Sequence, residues 1–244
     1  MNAAPPSSIF IHDGRYRRLL ARIQRKYRTT TEDLDLGGLT LRFTRVAEPD
    51  RVLDEIVAEE DRREKISGIR LQDPQHLPYW AELWESALGI AAVVTRMKLT
   101  KSTRVLDLGC GMGLAGAAAA AMGAAVMLAD LETPALLFAR LNCLPLRRRV
   151  RFRRLNWQVD RLSEQFDLIL GADILYERKQ WEFLDEFFKA HLGKEGSVLL
   201  GEPGRQSGDL FAAWIGQRGW DLREGSQLAK PEGKAIRVFI LTKV

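Results

Sequence analysis

A chain of 244 residues, 46% hydrophobic and 28% charged, can bury one substantial core and a small extra layer, so one main domain is expected. The 37 basic and 32 acidic side chains leave a formal net charge of +5, which permits a nucleic acid or acidic protein partner and requires neither. Only Cys110 and Cys143 are present, which excludes a disulfide framework or thiolate metal cluster, and His12, His76 and His191 lack ligand spacing, so no metal is expected.

Residues Met1 to Phe10 lack the basic start and apolar middle of a secretory signal, and with so few cysteines the expected setting is reducing and cytoplasmic. Arg15 to Arg28 then carry seven basic side chains and no acidic one, with Leu19, Leu20 and Ile23 at helical spacing. Such a helix is either a docking helix with a solvated basic face or a contact for nucleic acid or acidic protein, a targeting segment being a lesser option. Leu34–Leu36 and Leu39–Phe43 flank Gly37-Gly38, the signature of a tight β-hairpin. Pro49 opens a helix to about Lys65 with Val52, Leu53, Ile56 and Val57 on one face. These pieces form an extension over residues 1–75, ahead of a main domain over 76–244.

From Tyr79 the pattern changes. A helical run from Ala81 to Met97 leads into strands Arg104–Leu108, Ala125–Asp130, Val150–Leu155, Phe166–Ala172 and Ser197–Glu202, with helices near Leu114–Met122, Thr133–Asn142 and Arg178–Leu192 between them. After Gly208–Gln217, strand-like stretches Trp220–Gln227 and Ala235–Thr242 join through the turn Lys230–Gly233. The expected fold is α/β: a doubly wound, mostly parallel seven-stranded sheet with a terminal antiparallel hairpin. The uncharged stretch from 108 to 129 is long enough for a bilayer, yet it is mainly Ala and Gly, broken by Gly-Cys-Gly-Met-Gly and flanked by Asp107 and Asp130. It reads as soluble core, and no membrane association is expected.

Gly109, Gly111 and Gly113 lie between a strand and a helix, where missing side chains let backbone N–H groups approach a small anionic group. With Gly116 they also spell the dinucleotide fingerprint, and Asp130 lies at the distance expected of a ribose clamp, so a nicotinamide or flavin ligand competes. Asp107 opposes that option: a carboxylate there would repel pyrophosphate but could orient an ammonium, unless it only caps the loop's own N–H groups. Asp130 could likewise cap the helix near Thr133. Asn156 and Trp157 follow the third strand, where they could meet an adenine edge or serve as a turn and a core residue. Asp173 and Tyr176 follow the buried run Phe166–Ala172 and fall outside the carboxyl end of a central strand, where ligands gather. The alternative is that Asp173 caps the next helix and Tyr176 packs on Trp181. Trp181, Leu184, Phe187 and Phe188 form an apolar stripe expected in the core.

The segments Pro78-Tyr-Trp-Ala-Glu-Leu-Trp84, Leu106 to Gly113, Leu128-Ala-Asp130, Asn156-Trp157 and Gly171-Ala-Asp-Ile-Leu-Tyr176 together resemble the seven-β-strand protein-lysine methyltransferases, within the class I methyltransferases. The resemblance spans about residues 76 to 202. It implies S-adenosylmethionine as cofactor, with Trp84, Asp107, Gly109, Gly111, Gly113, Asp130, Asn156 and Trp157 around it, and Asp173 with Tyr176 lining an acceptor-amine channel. A protein is the implied partner. Asn156 departs from the family, in which many members carry an acidic residue there. A small-molecule N- or O-methyltransferase is the second reading and an RNA methyltransferase the third; Ala172-Asp-Ile-Leu-Tyr stands where RNA enzymes carry Asn-Pro-Pro-Tyr.

Overall fold

The computed structural model describes residues 14–67, 77–229 and 233–244. Met1–Phe10, His12, His76 and most of the turn Lys230–Gly233 lie outside them.

Segments with apolar centres become largely buried parallel strands: β3 (Arg104–Leu108), β4 (Ala125–Asp130), β6 (Phe166–Ala172) and β7 (Leu192–Glu202), the last starting before the expected Ser197, with β5 (Val150–Arg154) at one edge. At the other edge β8 (Trp220–Leu228) and β9 (Ala235–Lys243) pair antiparallel, and β9 pairs antiparallel with β7. The sheet order is β5-β4-β3-β6-β7-β9-β8. The chain starts in the centre at β3, steps outward to β5, then returns to β6 on the opposite side. This reversal opens a crevice beyond the carboxyl ends of β3 and β6, where open α/β sheets receive ligands.

Two cores cover the sheet. Val105, Leu168, Leu170 and Leu199 face α3 (Glu85–Val94), α4 (Leu114–Ala121) and α5 (Thr133–Asn142), whereas Leu106, Leu108, Ile169 and Leu200 face α6 (Trp181–His191) and α7 (Gln206–Ile215). The stripe of Trp181, Leu184, Phe187 and Phe188 is fully buried there.

Before the sheet come α1 (Gly14–Gln24), the hairpin β1 (Thr29–Asp35) and β2 (Thr40–Val46), and α2 (Pro49–Ser67). In the turn, Gly37 and Gly38 have φ of 76° and 107°, and Asp35 Oδ1 accepts both of their N–H groups. β1 begins five residues before the expected Leu34, because Thr29–Thr31 find partners in Thr44–Val46 despite their polarity. All seven basic side chains of the α1 region are exposed, while Ile23 and Tyr27 are buried, so the helix docks through its apolar side and turns its basic face outward, an arrangement common to both readings of that face. Tyr27 stacks on Trp80 and Phe138 at 5.3 and 5.9 Å, joining the extension to the main core. Buried Asn142 completes the join: its Oδ1 accepts the Thr44 N–H, and its Nδ2 donates to the carbonyls of Thr44 and Met112.

The helix expected from Ala81 begins only at Glu85 and ends at Val94. Tyr79–Ala81 form a 3-10 turn, and Glu82 and Trp84 are extended. On a continuous helix Trp80 and Trp84 would share a face. The break sends Trp80 into the core and leaves Trp84 at the crevice, its indole N–H donating to the Tyr79 carbonyl at 2.9 Å. Among the described residues no helix is long and apolar enough to cross a membrane.

Candidate functional site

The crevice holds a cavity of about 250 Å3, bordered by the glycine loop after β3, the ends of β4 and β6, and the Tyr79–Trp84 segment. All ten residues singled out from the sequence lie on its wall. Gly109, Gly111 and Gly113 have φ of 66°, 50° and 89°, the left-handed region that folds the loop back on itself. Gly113 is also sterically required, since a Cβ there would lie 2.9 Å from Ala139 Cβ and 3.0 Å from Leu128 Cδ2.

Asp107 at the tip of β3 is buried and accepts the Gly116 N–H at 2.8 Å, three residues into the N-terminal end of α4. Gly116 permits this contact; a Cβ there would come 2.8 Å from Asp107 Oδ2. Burial pushes the Asp107 carboxyl up to about 7, aided by the neighbouring charge of Asp130 and opposed by the Gly116 bond. The side chain thus caps the start of α4 rather than the loop's own N–H groups, and it borders the cavity as well.

Asp130, one strand away, is split between two backbone donors: Oδ2 accepts the Gly111 N–H and Oδ1 the Glu132 N–H, both at 2.8 Å. It clips the loop to the tip of β4, and the N-cap position of α5 belongs to Glu132 instead. Burial raises its carboxyl to about 6 against those two hydrogen bonds. Cys110 has its thiol raised far above its usual range, first by burial and then by the two carboxylates, so it holds its proton.

Asn156 Oδ1 accepts the Gln158 N–H at 3.0 Å, which makes the side chain part of a local turn. Trp157 donates its indole N–H to buried Gln180 Oε1 at 3.1 Å, and its ring lies against Gly109. Its polar end is satisfied, so its contribution to the cavity is a ring edge and face.

Asp173 follows β6 with φ of 58°, the one non-glycine residue with positive φ among those described. That backbone costs about 1 kcal/mol or more, and its N–H donates to the Gly201 carbonyl at 2.9 Å. Its carboxylate does not cap α6. Arg205 holds it with two nitrogens, Nη2 at 3.1 Å from Oδ2 and Nη1 on Oδ1. Burial lifts this carboxyl above its ordinary value, Arg205 pulls it back, and Glu202 adds to the rise. Tyr176 does not pack on Trp181, which stacks with Phe211 and Trp214; its ring sits 5.3 Å from Tyr79. Burial drives the Tyr176 phenol up to about 12, so it stays protonated at neutral pH. A second hollow of about 210 Å3, lined by Tyr79, Trp84, Asp173, Tyr176 and Arg205, adjoins the main cavity.

The sequence reading missed Tyr79 as a wall residue, along with Gln180 and Arg205. Glu202-Pro-Gly-Arg205 does follow a predicted central strand at its carboxyl end, and that position was the available signal.

A family model described as lysine methyltransferase matches residues 72–211. The electron transfer flavoprotein beta subunit lysine methyltransferase of Xenopus laevis is 33% identical over 135 residues, 52% of this chain and 53% of that protein. The protein N-lysine methyltransferase METTL21A of Danio rerio is 36% identical over 142 residues, 54% of this chain and 64% of that protein. The chain thus spans about half to two thirds of the length of these relatives. Among solved structures, a TehB-like SAM-dependent methyltransferase from Corynebacterium glutamicum aligns with a TM-score of 0.51 at 22% identity, covering 78% of this chain and 97% of that one. The glycopeptide N-methyltransferase MtfA complexed with S-adenosyl-L-methionine aligns at 0.55 and 14% identity, covering 65% and 87%. Both likenesses show the fold: a class I methyltransferase sheet.

Proposed function

The chain belongs to the lysine methyltransferase family, and we propose that it transfers the methyl group of S-adenosylmethionine to a lysine ε-amine of a protein. One observation carries the cofactor part of this reading: two buried carboxylates, Asp107 and Asp130, stand on neighbouring strand tips beside the glycine loop, and burial has raised both. Such a pair favours a ligand bearing positive charge. A dinucleotide would bring its pyrophosphate against the same carboxylates, at a Coulombic cost in a buried site.

In this reading Gly109, Gly111 and Gly113 leave room for the ligand and Asp107 orients its ammonium. Asp130 takes the ribose, while Trp84, Asn156 and Trp157 flank the rest. When bound, S-adenosylmethionine supplies an electron-deficient methyl on sulfur. The chain's own contribution is alignment and exclusion of water. The hollow at Asp173 and Tyr176 receives the acceptor, and because free lysine is an ammonium below about pH 10 the acceptor must shed its proton before attack. Asp173 positions that amine rather than acting as its base. Residues 76–244 carry this chemistry, with 1–75 as an extension, and a cytoplasmic setting fits the two free cysteines.

The test is incubation with radiolabelled S-adenosylmethionine and a protein extract, followed by separate protease and ribonuclease treatment. Label should become protease-sensitive and appear as methyl-lysine after acid hydrolysis. Label released by ribonuclease, or none transferred at all, refutes the reading.

A further inference from the structure

A carboxylate beside an acceptor amine poses an electrostatic problem, because it stabilises the ammonium, whose nitrogen has no lone pair for attack. The surroundings of Asp173 contain an answer. Arg205 sets two guanidinium nitrogens on the two carboxylate oxygens and lies over the Trp84 ring at 5.6 Å. Asp173 is buried, whereas the Arg205 side chain is only partly so.

Arg205 is itself held in place. Glu202, buried at the end of β7, accepts the N–H groups of Gly204, at 2.9 Å, and of Arg205. Arg237 donates Nε to Glu202 at 2.8 Å, approaches it with Nη2 at 2.7 Å, and uses Nη2 again on the Arg205 carbonyl at 2.8 Å. A side chain at Gly208 would collide with both Arg237 and Glu202, so the helix start leaves room for this clamp. Backbone and side chain of Arg205 are thereby both constrained. Its cation stands where a substrate ammonium would stand, against a carboxylate and face-on to an indole.

We propose that Arg205 is a positioning residue that neutralises Asp173, so that the acceptor hollow offers no uncompensated charge to an ammonium and admits the lysine side chain as the free amine. The proton is left with water before entry. This inference rests on the lysine reading of the hollow given above. The other groups facing Asp173 are Glu202, which pairs with an Arg237 that it shares with the exposed Asp209, and the phenols of Tyr79 and Tyr176, the latter protonated at neutral pH.

The experiment uses n-butylammonium chloride, a mimic of the lysine side chain, titrated calorimetrically into protein saturated with S-adenosylhomocysteine at about pH 8, where the amine stays protonated. Wild type should bind it weakly. Arg205→Gln should bind at least about tenfold more tightly, Arg205→Lys should behave as wild type, and Asp173→Asn combined with Arg205→Gln should return to the wild-type level. Arg205→Met, which keeps an apolar contact with Trp84, serves as a second neutral replacement should the glutamine not fold, and S-adenosylhomocysteine affinity reports folding in each. In methyl transfer, Arg205→Gln should reach its rate plateau about one pH unit higher, as a tenfold preference for ammonium dictates. The inference is overturned if neither neutral variant binds the ammonium more tightly than wild type, or if the double variant binds as tightly as the single. Failure of wild type to methylate any lysine, alongside the expected ammonium binding, would instead sink the lysine reading and leave the charge argument standing.

Discussion

Lowering the pH from about 7 to about 5 should weaken S-adenosylmethionine binding by roughly fiftyfold, because the cation-favouring form of Asp107 disappears over that interval. With its carboxyl pushed up to about 7 in the ligand-free protein, Asp107 is about half ionised at the upper pH and about 1% ionised at the lower one. The ratio corresponds to about 2.3 kcal/mol. Asp130, raised to about 6, adds to the loss in the same direction. Calorimetric titration across that range, in buffers of differing ionisation enthalpy, should also register proton release on binding at the acid end. Stability of the ligand-free protein runs the opposite way. A carboxyl raised above its unfolded value of 3.8 binds a proton on folding, so its stabilising effect is complete below about pH 4 and is lost as the pH rises through about 7. Asp107→Asn should flatten this slope and weaken the cofactor at neutral pH. An affinity unchanged to within twofold across the range, with no proton released, would refute the assignment of these carboxylates.

Three further outcomes follow from the site. Asp173→Ala should reduce methyl transfer at least about a hundredfold while leaving S-adenosylhomocysteine affinity nearly intact; undiminished turnover would remove Asp173 from the acceptor wall. Gly116→Ala gains helix propensity of about 1 kcal/mol but forces a methyl against Asp107 and Leu128 and weakens a charge-assisted bond. A net destabilisation of about 1–3 kcal/mol is expected, to be read from chemical denaturation, and a stabilised variant would show that the helix start yields. Trp157→Phe keeps a ring beside Gly109 and loses only the bond to Gln180, so cofactor affinity should fall by about tenfold or less, whereas Trp157→Ala should cost more.

The central parallel strands were legible because both of their faces are buried, and apolar runs such as Leu168–Ala172 announce that without any partner being known. Three glycines at alternate positions behind a strand likewise carry their own meaning. What stayed hidden was held by partners distant in sequence. The entry to α3 is delayed because Trp80 and Trp84 answer to different neighbours, Tyr27 and Phe138 for one, the crevice for the other. β1 starts in a polar threonine run that only its pairing with β2 explains. Arg205 reaches Asp173 across 32 positions, and no local pattern marks which arginine of many will do so. For Asn156 the turn, one of the two readings its place after a strand allows, is made by its side chain through the Gln158 N–H.

Asn142 has a reach out of proportion to its size. Its single amide group grips the hairpin through Thr44 and the cofactor loop through the Met112 carbonyl, so the two ends of that linkage share one anchor. Removing that one amide would leave the Thr44 N–H and the Met112 carbonyl without their partner at the same time, loosening the hairpin and the floor of the crevice together.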